Sequence, residues 1–137
     1  MISTTHSVAA SAGAVWSARI LTVIPILFLT FDTVIKLMRV DPVIDSFNQL
    51  GYPARLALAI GLLELVCLVL YIVPATSVLG AVLLTGYLGG AIATHVRVES
   101  PLLTHVLFPI YVALFLWGGL FLREPRLRML IPARRTF

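Results

Sequence analysis

The sequence predicts an all-α integral membrane four-helix bundle with both termini in the cytoplasm. Hydrophobic residues make up 60% of the 137-residue chain, and charged residues make up only 12%. Soluble domains are about 45–50% apolar and about 25% charged, so this composition indicates a membrane protein. Four apolar stretches each approach the ~20 residues that a helix needs to cross the hydrocarbon core. Lipid admits only helices and closed barrels, and continuous apolar stretches of this length predict helices.

The four spans are predicted at residues 16–38, 54–73, 77–96 and 102–122. The first connection is the longest, and we expect residues 46–50 to form a short interfacial turn within it. The second connection is very short, which predicts that the second and third helices are antiparallel neighbours. The length suits one domain. Its expected parts are a flexible segment, a four-helix transmembrane domain and a basic tail, at residues 1–15, 16–132 and 133–137.

The distribution of basic residues predicts the orientation of the chain. Six of the ten Lys and Arg residues fall on the side of the termini, and four fall on the opposite side. The positive-inside rule then places both termini in the cytoplasm, so we expect an N-in/C-in protein of a bacterial cytoplasmic membrane. The net charge of +4 reflects this basic flank. We expect contact with the lipid bilayer and no binding of nucleic acid.

Ionisable residues within the spans concentrate toward one side of the predicted bundle. These six residues are Asp32, Lys36, Glu64, His95, Arg97 and His105. An ionised group facing lipid at mid-membrane costs about 2.5–3.5 kcal/mol, so the six are expected to face one another across the bundle interior. A cluster of this kind is by default a candidate functional site.

Asp32 and Glu64 are the candidate acid/base carboxyls, with His105 and His95 as candidate catalytic partners. Asp32 and Lys36 are four residues apart and share a helix face, so a simple intrahelical ion pair is the alternative for them. Glu64 is the deepest carboxyl, and the alternative for it is a helix–helix hydrogen bond that fixes the register of the bundle. Two histidines and a carboxylate match a metal site in composition only, and no metal is predicted.

Lys36, Arg97, Tyr87 and Thr94 are the candidate substrate-binding residues. Arg97 is expected to hold an anionic group or to anchor its helix at the headgroups. Tyr87 needs a partner for its hydroxyl, and Glu64 lies at a similar depth. Gly86 and Gly90 form a GxxxG pattern, which predicts a close approach between helices.

Several short motifs together resemble the DoxX-like family. They are Phe31-Asp32 with Lys36-Leu37, Glu64 in the second span, the run TGYLGGAIATHVR at residues 85–97, His105 before Phe108-Pro109, and the tail beginning Trp117-Gly118-Gly119-Leu120. The resemblance covers residues 19–132 and implies a small four-helix membrane protein. Some relatives in the wider group are subunits linked to quinones or to redox-stress complexes, so the resemblance also implies a quinone and a redox partner protein.

Three functions are consistent with these residues. The first is a protein that binds a small lipophilic substrate and performs acid/base chemistry such as isomerisation, cyclisation or ring opening. The second is a quinone-linked accessory subunit of a membrane redox complex, and the third is a structural scaffold whose polar network fixes helix register. The single cysteine, Cys67, excludes a CxxC redox site. A homo-oligomer is a further candidate assembly, and isolation only as a homo-oligomer would count against the accessory subunit.

Overall fold

The fold is built from helices throughout residues 11–130, which are the residues that the computed structural model describes. The elements are α1 (Ala12–Met38), α2 (Asp41–Gln49), α3 (Leu56–Ile72), α4 (Ser77–Arg97), a π-helical turn (Leu102–Val106), α5 (Phe108–Arg123) and α6 (Pro125–Leu130). Three segments are long and apolar enough to cross a membrane: Ala12–Met38, Pro74–Arg97 and Leu102–Arg123. Helix α3 is also apolar but has only 17 residues. The predicted basic tail, residues 133–137, lies outside the described residues, as does most of the predicted flexible N-terminal segment.

Local sequence explains where α1 begins and ends. It begins at Ala12, four residues before the predicted start, because Ser11 caps the helix by accepting a hydrogen bond from the Ala14 amide at 3.3 Å. It ends at Met38 because the next residue, Arg39, adopts a left-handed conformation (φ 51°) and donates its amide to the carbonyls of the last turn. The reversal that follows leads directly into α2.

The long helices form a ring in which α1 packs against α3 and α5, and α4 packs against the same two helices. Glycines permit the closest contacts in this ring. A Cβ on Gly80 would lie 2.2 Å from the backbone nitrogen of Tyr71, and one on Gly119 would lie 2.5 Å from the Thr22 hydroxyl. The α3–α4 and α1–α5 interfaces therefore depend on the absence of a side chain at these positions.

Helix α2 closes one end of the ring. The predicted turn at residues 46–50 is instead part of a nine-residue amphipathic helix that buries Val43 and Phe47. Its pattern explains the difference, because Pro42 favours the first helical turn and apolar residues recur three to four positions apart. The turn prediction missed this periodicity within a short segment.

The outer surface of the ring is apolar, whereas its interior contains polar residues. Leu27, Phe31 and Leu114 each expose more than 60% of their area, while Glu64 exposes none. In water this arrangement would leave large apolar patches uncovered, which soluble monomers rarely do. Together with the three membrane-length helices, it indicates an integral membrane protein in contact with the lipid bilayer.

Candidate functional site

A cluster of four polar side chains joins α1, α3 and α4, with Lys36 at its centre. The Lys36 ammonium lies 2.5 Å from Asp32 Oδ2, 2.9 Å from Glu64 Oε2 and 2.6 Å from the Tyr87 hydroxyl. Tyr87 in turn donates its hydroxyl proton to Glu64 Oε2 at 3.0 Å. The i,i+4 pair within α1 is therefore also part of a network between helices.

The donors and acceptors of this cluster can be counted. An ammonium has three protons, and the three contacts of Lys36 use all of them. Tyr87 accepts one proton from Lys36 and donates its own to Glu64. Two carboxyl oxygens are left over: Oδ1 of Asp32 has no donor among the described residues, and Oε1 of Glu64 is buried without a partner there.

Next to the cluster lies a partly open cavity of about 760 Å³. Its wall is mostly apolar and includes residues from α1, α2, α3, α4, the π-helical turn and α5. Six predicted site residues line it: Asp32, Lys36, Tyr87, Thr94, His95 and His105. The segment from the π-helical turn to α5 adds Pro109, which lies at the start of α5 and is buried against the cavity.

The other two predicted site residues, Glu64 and Arg97, do not line the cavity. Glu64 is fully buried and meets the cluster only through Lys36 and Tyr87. Arg97 is exposed, donates to the Leu50 carbonyl and lies 5.8 Å from the centre of the Tyr52 ring. Glu64 thus supports the polar wall from behind, and Arg97 connects α4 to the residues that follow α2.

The two histidines face each other at the end of the cavity formed by α4 and the π-helical turn. Their ring centres are 5.5 Å apart in an edge-to-face arrangement. Nδ1 of His95 lies 3.0 Å from the Ser100 hydroxyl, and Nδ1 of His105 lies 2.8 Å from the Thr104 hydroxyl. Within residues 11–130, no group of three or more His, Cys, Asp or Glu side chains is arranged to hold a metal ion.

The GxxxG pattern of Gly86 and Gly90 does not form the close helix contact that was predicted for it. Among the described residues, a Cβ on Gly86 or Gly90 would meet nothing within 4 Å, so neither glycine packs against another helix there. Both instead line the cavity, where the missing side chains leave space. The prediction of close packing was wrong for this pair because sequence spacing does not specify which face of a helix meets a neighbour.

Sequence reasoning missed two contributors to the cavity wall. Tyr52 follows α2 and lies 3.1 Å from the Thr94 hydroxyl through its own hydroxyl. Cys67 is buried and also borders the cavity. No local pattern marks Tyr52, because its position depends on how the segment after α2 folds back over α4.

Comparison with known proteins adds one finding. The family model of the DoxX-like family matches residues 20–119, which is most of the chain. Neither a curated protein nor a solved structure matches it significantly.

Proposed function

This chain belongs to the DoxX-like family, and on that premise we propose that it is a membrane protein that binds a small lipophilic molecule and transfers protons to or from it. The observation that carries this proposal is the mostly apolar cavity with Asp32, Lys36 and Tyr87 in its wall, bound to the buried Glu64 behind them. Ligand sites are typically concave and apolar, with a few polar groups that orient the ligand. The cavity volume lies within the range of about 300–1,000 Å³ that is usual for such sites.

We assign the proton-transferring role to Asp32, because it combines a cavity position with an oxygen that has no donor among the described residues. His105 and His95 are the proposed partners at the other polar part of the wall, since imidazole can donate or accept a proton near neutral pH. Two groups with opposite roles are what isomerisation, cyclisation or ring opening requires.

Glu64 and Lys36 are proposed to act as positioning residues. Lys36 holds Asp32 in place, and Glu64 holds both Lys36 and Tyr87 from outside the cavity. Tyr87 and Thr94 are proposed to contact the ligand, and Arg97 is proposed to hold the segment after α2 near the cavity. This differs from the role of central acid/base first expected for Glu64, because a buried group without access to the cavity cannot touch a substrate.

The proposed setting is a bacterial cytoplasmic membrane with four spans and both termini inside. In this arrangement α3, the second span in chain order, is added to the three membrane-length segments. At about 1.5 Å per residue, its 17 residues fall slightly short of a 30 Å core. The turn at residues 53–55 extends it at one end. The four-helix domain would then cover residues 16–132, with Arg123, Arg126 and Arg128 on the cytoplasmic side.

A cavity-filling variant with a matched control tests ligand binding. Gly90→Leu places a side chain in the cavity, whereas Gly89→Leu places the same side chain on the same helix, in a shallow groove beside Trp117. Neither Cβ meets an atom within 4 Å. We expect a lipophilic compound to copurify in nanodiscs with the wild type and Gly89→Leu, and to be lost in Gly90→Leu, as measured by mass spectrometry. Equal recovery from all three proteins would refute the proposed site.

Proton transfer can be tested before the reaction is known. The recovered compound is returned to the protein in deuterated water, and we expect carbon-bound deuterium to appear with the wild type but not with Asp32→Asn. Recovery of a quinone from the wild type and Gly89→Leu only, with no deuterium incorporated, would favour the accessory-subunit function. Loss of stability in Asp32→Asn, with no compound recovered from the wild type, would favour the structural scaffold.

A further inference from the structure

We propose that the ligand of the cavity is a lipophilic ammonium, an amine with a hydrocarbon body, whose charged head binds Asp32. This inference rests on the proposed function and specifies its ligand class. It follows from three properties of the cavity: the hydrogen-bonding groups left free in its polar wall, the charge of the cluster, and the aromatic rings around it.

The part of the wall that the Lys36 cluster forms offers an acceptor rather than a donor. All three Lys36 protons are used within the cluster, and the Tyr87 hydroxyl proton points to Glu64. Asp32 lines the cavity with a side chain that is 27% exposed, and its Oδ1 has no donor among the described residues. A ligand that hydrogen-bonds here must therefore supply the proton, as an ammonium does. A ligand carbonyl, including that of a quinone, would find no free donor on Lys36 or Tyr87.

The charge of the cluster favours a cation. One ammonium, that of Lys36, is shared between two carboxyl groups, so it cannot neutralise both of them when both are ionised. Glu64 is fully buried and bound to Lys36, so the carboxylate that a ligand can reach is Asp32. The other nearby cation, Arg97, does not line the cavity, and its side chain contacts Leu50 and Tyr52. In a site of low dielectric constant, a neutralising ligand cation interacts strongly with such a charge.

The lining suits both the ammonium group and the hydrocarbon part of such a ligand. Five aromatic side chains border the cavity: Phe28, Phe47, Tyr52, Tyr87 and Phe108. The faces of aromatic rings attract ammonium groups, and the effect increases when water is excluded. Apart from the polar residues near the two histidines, the remaining wall is mostly aliphatic and can hold an alkyl chain.

The test compares three probes that share one hydrocarbon chain: decylamine, decanol and decanoate. Each is titrated onto the full-length protein in nanodiscs of zwitterionic phosphatidylcholine, with empty nanodiscs subtracting the partition into lipid. The proteins are the wild type, Asp32→Asn and Asp45→Asn. The last is a matched control, because Asp45 carries the same group on α2 and does not line the cavity.

We expect decylamine to bind the wild type saturably and at least about tenfold more tightly than decanol, since a hydrogen bond to a charged group is worth about that ratio. Asp32→Asn should remove the difference between the two probes, and Asp45→Asn should keep it. Decanol or decanoate binding as tightly as decylamine to the wild type would overturn the ammonium assignment and leave the lipophilic site intact. Absence of saturable binding for all three probes would overturn the lipophilic site as well.

Discussion

Replacing Lys36 with methionine tests whether the polar cluster is a coupled network. Methionine keeps the length and apolar stem of lysine but removes the only cation that contacts Glu64 among the described residues. Removing one partner of a buried ion pair usually costs about 3–5 kcal/mol, because the other charge stays buried without compensation. Glu64 has no exposed area, so most of this cost arises there, up to the point at which its carboxyl takes up a proton instead. Asp32 is partly exposed, and its pair with Lys36 should add no more than about 1 kcal/mol.

The assay is reversible unfolding in detergent micelles, followed by circular dichroism, for Lys36→Met and for the double variant Lys36→Met/Glu64→Gln. The double variant should recover most of the lost stability, because replacing both charges by neutral groups is often close to neutral. Arg55→Met is the control, since its side chain is exposed and makes no hydrogen bond within the described residues; a change below about 0.5 kcal/mol is expected. The reasoning would be refuted if Lys36→Met were as stable as the wild type, or if the double variant were no more stable than Lys36→Met.

Two further substitutions test the helix contacts. Gly80→Ala should destabilise the protein by about 1–3 kcal/mol or more, because its Cβ would overlap the Tyr71 backbone. Gly89→Ala, whose Cβ meets no described atom within 4 Å, should leave the stability unchanged or raise it by about 0.5–1 kcal/mol in the same unfolding assay. Equal effects of Gly80→Ala and Gly89→Ala would contradict the packing. Tyr87→Phe should cost about 1–3 kcal/mol, because Lys36 loses an acceptor and Glu64 loses a donor. Tyr52→Phe, which removes one hydrogen bond to Thr94, should cost less, and the reverse order would argue against the network.

The sequence was enough to assign the chain to the membrane class and to single out the ionisable residues within the spans, because both inferences depend on how lipid solvates apolar and charged groups. Long apolar stretches can satisfy their backbone in lipid only as helices, which the three membrane-length segments confirm. The motifs of residues 19–132 also identified the DoxX-like family, which the match to residues 20–119 confirms. The cost of exposing a charge to lipid also predicted that the ionisable residues face inward, but Arg97 is exposed and contacts Leu50 and Tyr52 instead.

Other features of the molecule required the tertiary structure. The sequence could not distinguish the glycines that bring helices together, Gly80 and Gly119, from Gly86 and Gly90, which leave space in the cavity. It also could not show that Glu64 lies behind Lys36 and Tyr87 while Asp32 borders the cavity. Spacing gives the face that two residues share on one helix, but the rotation of that helix is set by its contacts with all its neighbours. Only those contacts decide which carboxyl a ligand can reach.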